Sequence, residues 1–192
     1  MRRLAAALLA LAPADVAAQD CPLLVPARDV DVVYMMVQAD APGGPRVVEE
    51  RLRWAAAAGK LRIDPPTPGL WVVMDRNTRR MATVREADRS VLEIESAQAL
   101  PLPGPASGAA FRRRGDDSVA GLPCTEWQTR DVTGGATLTC ITADGVLLRA
   151  SAGGRVLAEA LHVAYAPQDA SVFRIPDDYR RLAPPALKRP AP

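Results

Sequence analysis

Short runs rich in apolar residues, several of them alternating with polar ones at a period of two, recur along this chain and are separated by turn residues. RDVDVVYMMVQ (28–38) is the first strand candidate, and APGGP (41–45) turns the chain. RVVEERLRWAA (46–56) fits a helix face through Val48, Leu52 and Ala55. It also fits a strand with one mostly charged face, and the Gly/Pro turns on both sides favour the strand. KLRID (60–64) follows Gly59. PPTPG (65–69) cannot continue a ladder, because three prolines lack the N–H donor. LWVVMD (70–75) is apolar throughout and reads as a strand covered on both faces. RMATVR (80–85) and SVLEIE (90–95) follow, each bounded by a short polar turn. AQALPLPGPASGAA (97–110) has no period and reads as a loop or lid.

A further strand begins at FRRR (111–114), with a turn expected at Gly115-Asp116-Asp117. The stretch from Val119 to Ala150 then organises the second half. TEWQTRDV (125–132) and ATLTCIT (136–142) flank Thr133-Gly134-Gly135, and Asp144-Gly145 makes a second hairpin turn before Val146–Ala150. Connections this short make the three strands antiparallel. RVLAEALHVAY (155–165) alternates between Gly153-Gly154 and Pro167 and reads as a closing strand. Val172–Tyr179 is an extended terminal segment, and a Pro-rich tail over 181–192 is expected to be disordered. Ten or eleven short strands with so few helical stretches give a mainly β fold, α+β at most. The expected architecture is a curved antiparallel sheet or incomplete barrel of about ten strands, with room for a short helix or lid.

Cys124 and Cys140 fall in the first two strands of the central stretch. If Gly134-Gly135 formed a two-residue turn, Cys140 would face Thr129. A Cys124–Cys140 bridge therefore needs a longer turn, a bulge or a bend at Pro123; the alternative is two buried thiols. MRR, an apolar run over Leu4–Ala12, and small residues at Val16-Ala17-Ala18 make a secretory signal peptide over 1–18, too short to span a bilayer. Removing it takes two arginines and one aspartate, so the formal charge falls from +2 to +1. A nearly neutral chain offers no reason to expect nucleic acid as a partner. No later stretch is apolar enough to cross a membrane, and the periplasm is the expected compartment, with secretion the alternative. Cys21 follows Asp20, whereas lipid attachment wants a small residue there. It reads as a free thiol on the N-terminal segment 19–27, or as an intermolecular partner. The domain proper spans 28–180.

Candidate chemistry is sparse. One histidine, His162, exists, and no nucleophile elbow accompanies it. Asp29 with Asp31, and Asp116 with Asp117, could hold a hard cation or be plain solvated acids. No zinc set and no stand-out carboxylate pair is present, so the expectation is a non-enzyme with no cofactor and no metal. Arg112-Arg113-Arg114 reads as a solvated edge that discourages aggregation, or as a contact for anionic head groups. Trp54, Trp71, Met74 and Trp127 are candidate ligand-binding residues of an apolar cavity, or else ordinary core.

The order Asp75-x-x-x-Arg79, Val119-Ala120-Gly121-x-x-Cys124, Cys140-Ile141-Thr142-x-Asp144-Gly145-Val146-x-Leu148-Arg149, Val163-x-Tyr165 and Phe173-x-x-Pro176-x-x-Tyr179 resembles bacterial envelope proteins related to the outer-membrane lipoprotein carrier (LolA/LolB-like) fold. The resemblance covers about residues 28–180. It implies an incomplete antiparallel barrel over helices, with an apolar cavity for acyl chains. The chain departs from the carriers in lacking a long helix-forming segment, unless SVLEIESAQAL (90–100) supplies one. Two functions are therefore expected: an envelope module that binds a lipid or other apolar molecule in the concave sheet, or a structural or protein-interaction module of the envelope with no small ligand.

Overall fold

A computed structural model describes residues 21–38, 43–95, 110–130 and 135–183. The expected signal peptide, the body of the 97–110 loop, Asp131 and Val132 of the expected strand, Thr133 and Gly134 of the expected turn, and the tail from residue 184 lie outside these. In chain order the strands are β1 (Val30–Gln38), β2 (Arg46–Ala55), β3 (Lys60–Asp64), β4 (Leu70–Asp75), β5 (Arg80–Arg85) and β6 (Ser90–Glu95). They continue with β7 (Arg112–Val119), β8 (Leu122–Arg130), β9 (Ala136–Ile141), β10 (Leu147–Ala152), β11 (Arg155–Ala164) and β12 (Arg180–Leu182). Among the described residues a single 3-10 turn, Ala170–Phe173, precedes β12.

All twelve strands form one sheet in the order β12-β6-β5-β4-β3-β2-β1-β11-β10-β9-β8-β7. It consists of two meanders, β1 to β6 and β7 to β11, joined where β1 pairs antiparallel with β11. The sheet curves without closing into a barrel, and among the described residues almost no helix accompanies it. The first eleven strands correspond to those expected from the alternation. Arg46–Ala55 and Arg155–Ala164 are strands, and so is Ser90–Glu95, which removes the first six residues of the helix that 90–100 could have supplied. β12 is the added element. It pairs parallel with β6 and carries the ordered chain past residue 180.

The hairpin chemistry differs from expectation at one corner. Gly115-Asp116-Asp117 is not a turn: these residues continue β7, opposite Glu126, Thr125 and Cys124. The chain turns instead at Ala120-Gly121, with φ of 51° and 74°. Two successive left-handed residues are the geometry that matches the twist of a two-residue hairpin.

Register shifts gather in the second half. Arg114 on β7, Leu148 on β10, and Leu157 and Leu161 on β11 are each the extra residue of an irregularity in pairing. The ladders among β1 to β6 carry no such shift. Bulges bend strands and raise local twist, so these four positions are a source of curvature in the sheet. They also undo the simple alternation of β11. Ala158, Ala160 and Val163 pair with Met36, Tyr34 and Val32, whereas Leu157 and Leu161 are displaced and stand 39% and 49% exposed.

The disulfide forms between Cys124 and Cys140, with Cα atoms 5.4 Å apart. Arg130 pairs with Ala136 and Cys140 with Glu126, so the β8–β9 connection is longer than a two-residue turn, as the bridge requires. Both cysteines are buried beside Val119, Val146 and Leu148.

The two faces of the first meander are buried by different means. On the face called inner here, Val30, Val32, Leu52, Trp54 and Leu61 belong to one core with Leu148 and Ala160 of the second meander. On the outer face of β4 to β6, Trp71, Val73, Ala82, Val84 and Val91 pack under Phe173, with Val172, Ile175 and Tyr179 around it. These last four come from a strap, residues 166–183, that leaves β11 and crosses the outer face to reach β12. Several polar contacts pin it. The Gln168 amide donates to Asp29 Oδ2 at 2.9 Å, Arg62 Nη1 donates to the Val172 carbonyl at 2.9 Å, and the Arg180 amide donates to the Arg89 carbonyl at 2.8 Å. Arg89–Asp178 and Arg181–Glu93 ion pairs flank its end.

Candidate functional site: the inner apolar wall

Cross-strand register lines up two apolar rows on the inner face of the first meander. One runs Val30, Trp54, Leu61, Met74, Met81, Ile94; the other runs Val32, Leu52, Ile63, Val72, Thr83, Leu92. Residues directly opposite in neighbouring strands share a face, so each row is continuous across β1 to β6. Thr83 is its one polar member, and no charged residue enters either row. Burial changes along them. Val30, Trp54 and Leu61 are 0–2% exposed, whereas Ile63, Val72, Met81, Leu92 and Ile94 are half-buried. The wall thus runs from closed core at β1–β2 to an accessible apolar surface at β5–β6.

The closed end is sealed by the N-terminal segment. Trp54 Nε1 donates to the Pro26 carbonyl at 2.8 Å, and the Ala27 amide donates to the Asp144 carbonyl at 2.8 Å. Gly145 lies so close that a Cβ there would stand 2.5 Å from the Val25 carbonyl oxygen, and its φ is +92°. Arg28 Nε donates to Asp144 Oδ2 at 2.7 Å, and its guanidinium lies 3.7 Å from the Tyr165 ring centre. Tyr165 and Thr142 hydroxyls donate to the same carboxylate. Partial burial pushes the Asp144 pKa up, but the hydrogen bonds from Thr142, Arg28 and Tyr165 outweigh it and hold the group below the usual carboxylate range. Tyr34 reaches over β11 and donates to the Leu147 carbonyl at 2.6 Å; burial holds its phenol well above the usual value, so the ring stays neutral.

The four candidate ligand residues do not converge. Trp54 and Met74 are in the inner row, at 2% and 6% exposed. Trp71 is on the opposite face of β4, under the strap, where its Nε1 donates to Glu86 at 3.2 Å and the Arg62 guanidinium lies 4.1 Å from its ring centre. Trp127 sits on β8 in the other meander, edge-on to Phe111 with ring centres 6.2 Å apart. All four are buried core residues. The accessible members of the wall are Ile63, Val72, Met81, Leu92 and Ile94, which the sequence reading did not single out. Their signal lay in RMATVR and SVLEIE, but the register was needed to put Met81 opposite Ile94 and Leu92 opposite Thr83.

The polar candidates are occupied. Asp29 accepts from the Ala56 and Gln168 amides, Asp31 from Arg51, Asp116 from Arg113, and Asp117 from Arg149. His162 is exposed on β11 opposite Val33. Among the described residues no group of three or more His, Cys, Asp or Glu side chains is placed to hold a metal ion. Cys21 is exposed and unbridged. Among the described residues no helix is long and apolar enough to cross a membrane.

No family model matches the chain, and no curated protein matches it. Solved structures do share its fold. An uncharacterised conserved protein from Thermus thermophilus aligns with a TM-score of 0.59 at 13% identity, covering 82% of this chain and 91% of that one. MucB aligns at 0.55 and 12% identity, covering 82% of this chain and 60% of MucB. PNGF-II aligns at 0.52 and 13% identity, covering 84% of this chain and 32% of PNGF-II. The chain therefore spans less than two thirds of the latter two. A complex of MucB with MucA(peri) aligns at 0.48, a level of likeness that supports no argument. At these identities the likeness is one of fold.

Proposed function

We propose that this chain is a non-catalytic protein of the bacterial envelope that takes an apolar molecule, an acyl-chain lipid in the first instance, against the inner wall of its curved sheet. The observation that carries the reading is the pair of uncharged rows ending in half-buried Met81, Ile94 and Leu92. Apolar surface of this kind, left accessible on one face of an open sheet, lowers its free energy by taking up hydrocarbon. The signal-peptide pattern and the bridge both fit an oxidising compartment. The fold shared with MucB and the Thermus protein agrees with the carrier-like resemblance, and that affiliation is part of the proposal.

A second reading, a protein-interaction module with no small ligand, draws on the outer face. Leu138, Val156, Leu157 and Leu161 are exposed there, on β9 and β11. The experiment that separates the two is native mass spectrometry of protein purified from its own cell envelope, followed by organic extraction. A co-purifying acyl-chain species at fixed stoichiometry supports the first reading. A mass that stays bare when lipids are offered refutes it and leaves the second.

A further inference from the structure

The two ends of the open sheet are finished differently. At one end β12 is three residues long and caps β6. At the other, β7 is eight residues long, and among the described residues no strand pairs with its far side. An edge strand of this length presents a row of backbone N–H and C=O groups to solvent, a template for another strand. Its sequence, Arg112-Arg113-Arg114-Gly115-Asp116-Asp117-Ser118-Val119, is basic before Gly115 and acidic after it. That order is self-complementary. Run antiparallel against itself about the centre of the Arg114-Gly115 pair, Arg112 and Arg113 each meet an aspartate and Arg114 meets Gly115.

We propose that the free edge of β7 pairs antiparallel with β7 of a second copy of this chain, about a twofold axis between Arg114 and Gly115. In this register Arg113 lies opposite Asp116 of the second copy, and Arg112 opposite Asp117. The twofold repeats both pairs, as an isologous interface requires. The bulge at Arg114 is what makes the faces agree. Arg113 and Asp116 pair with Trp127 and Thr125, two residues apart on β8 and hence on one face. Arg112 and Asp117 pair with Gln128 and Cys124, on the other face. Without the extra residue, oppositely charged partners across the axis would alternate out of phase. Gly115 stands at the axis with nothing within 4 Å of where a Cβ would be, so two backbones can approach there without side-chain obstruction.

In the monomer the same charges are used locally. Arg113 bonds Asp116 at 2.6 Å and Arg149 bonds Asp117 at 2.7 Å, all on partly exposed side chains. Exposed ion pairs of this kind are weak, and exchanging them for cross-strand pairs costs little. Arg149 keeps Glu159, at 2.7 Å, when Asp117 turns to a second copy. Opposite charges facing across antiparallel strands favour the pairing, and like charges oppose it.

The test is sedimentation equilibrium of the purified protein over a wide range of loading concentrations, with two charge variants. One carries Arg112→Glu and Arg113→Glu, making all four positions of the proposed cross-strand pairs acidic. The other carries Asp116→Arg and Asp117→Arg, making its edge wholly basic. Circular dichroism confirms that each is folded. The proposal expects a concentration-dependent dimer for the unaltered chain and dissociation constants raised roughly a hundredfold for each variant alone. An equimolar mixture of the two variants then forms heterodimers, seen by native mass spectrometry, because all four cross-strand pairs become opposite in sign. Each variant breaks its own local ion pairs, so only an intermolecular contact explains recovery on mixing. A chain that stays monomeric at its highest soluble concentration overturns the proposal. So does a dimer indifferent to both variants, or variants that fail to recover when mixed.

Discussion

Trp71 and Met74 are three residues apart on β4 and face opposite ways. Met74 stands in the inner row between Leu61 and Met81, and Trp71 lies in the outer core with Phe173. That relationship separates the molecule into an inner wall, proposed to meet ligand, and an outer face, which the strap closes.

The strap contributes to stability as a core element. Phe173 is 4% exposed and fills the outer core over Trp71, Val84 and Val91. Phe173→Ala is expected to cost about 3 kcal/mol, through lost burial and a residual cavity. Val47→Ala, at a residue 64% exposed, is expected to cost less than about 0.5 kcal/mol. Urea unfolding of both variants checks the contrast. Hydrogen exchange in Phe173→Ala should rise first in β5 and β6.

Gly145 is expected to tolerate no side chain. A Cβ would meet the Val25 carbonyl, and the positive φ adds backbone strain. Gly145→Ala should lower stability by about 2 kcal/mol or more. It should also release the segment around Val25 and Pro26 from the sheet. Limited proteolysis, with cutting N-terminal to β1 appearing only in the variant, reads this directly.

The bridge closes a loop of moderate length, with its cysteines 16 positions apart. Cys124→Ser with Cys140→Ser is expected to destabilise the protein by about 3 kcal/mol. Unfolding of the unaltered protein with and without reductant should show a shift of similar size. The double variant should then be insensitive to reductant.

Acid sensitivity has a named source in Asp64. Burial pushes its pKa up, but hydrogen bonds from Arg62 and Arg53 outweigh this and hold it below the usual range. A carboxylate with a lowered folded pKa contributes stability that is fully present above the unfolded pKa, near pH 4, and is lost as pH falls through the folded pKa. Asp64→Asn is therefore expected to cost about 2 kcal/mol at pH 7, because it removes the negative charge and one of the two acceptor oxygens facing two partly buried guanidinium groups. The cost should shrink as pH falls below about 4. Urea midpoints of both proteins between pH 7 and pH 2 measure it.

Much of the fold was legible because glycine, proline and aspartate mark the turns and the strands between them alternate. The eleven strands of the two meanders follow from that. Three features do not. Leu157 and Leu161 fall on the same side of a simple alternation as Val163, and a bulge at each displaces them from it. Gly115-Asp116-Asp117 reads as a turn because its composition is that of one, yet pairing with Glu126, Thr125 and Cys124 holds it in a strand. The strap is rich in aspartate and proline and shows no period, so nothing local announces that Phe173 is core or that Arg180–Leu182 joins β6. The site fared similarly. Large aromatic residues attract attention in a sequence, but they are the ones that complete burial. The accessible wall is built from Met81, Leu92 and Ile94, ordinary residues whose significance lies in register and in being left half uncovered.

The central claim is tested most directly by equilibrium titration of a fluorescent fatty acid into the protein, alongside Met81→Glu on the inner wall and Leu161→Glu on the outer face. An apolar wall that takes up lipid predicts saturable binding to the unaltered protein and to Leu161→Glu. It also predicts at least about a tenfold loss for Met81→Glu, since a carboxylate on the wall would have to be desolvated against hydrocarbon. Equal binding by all three, or none by the unaltered protein, would contradict it.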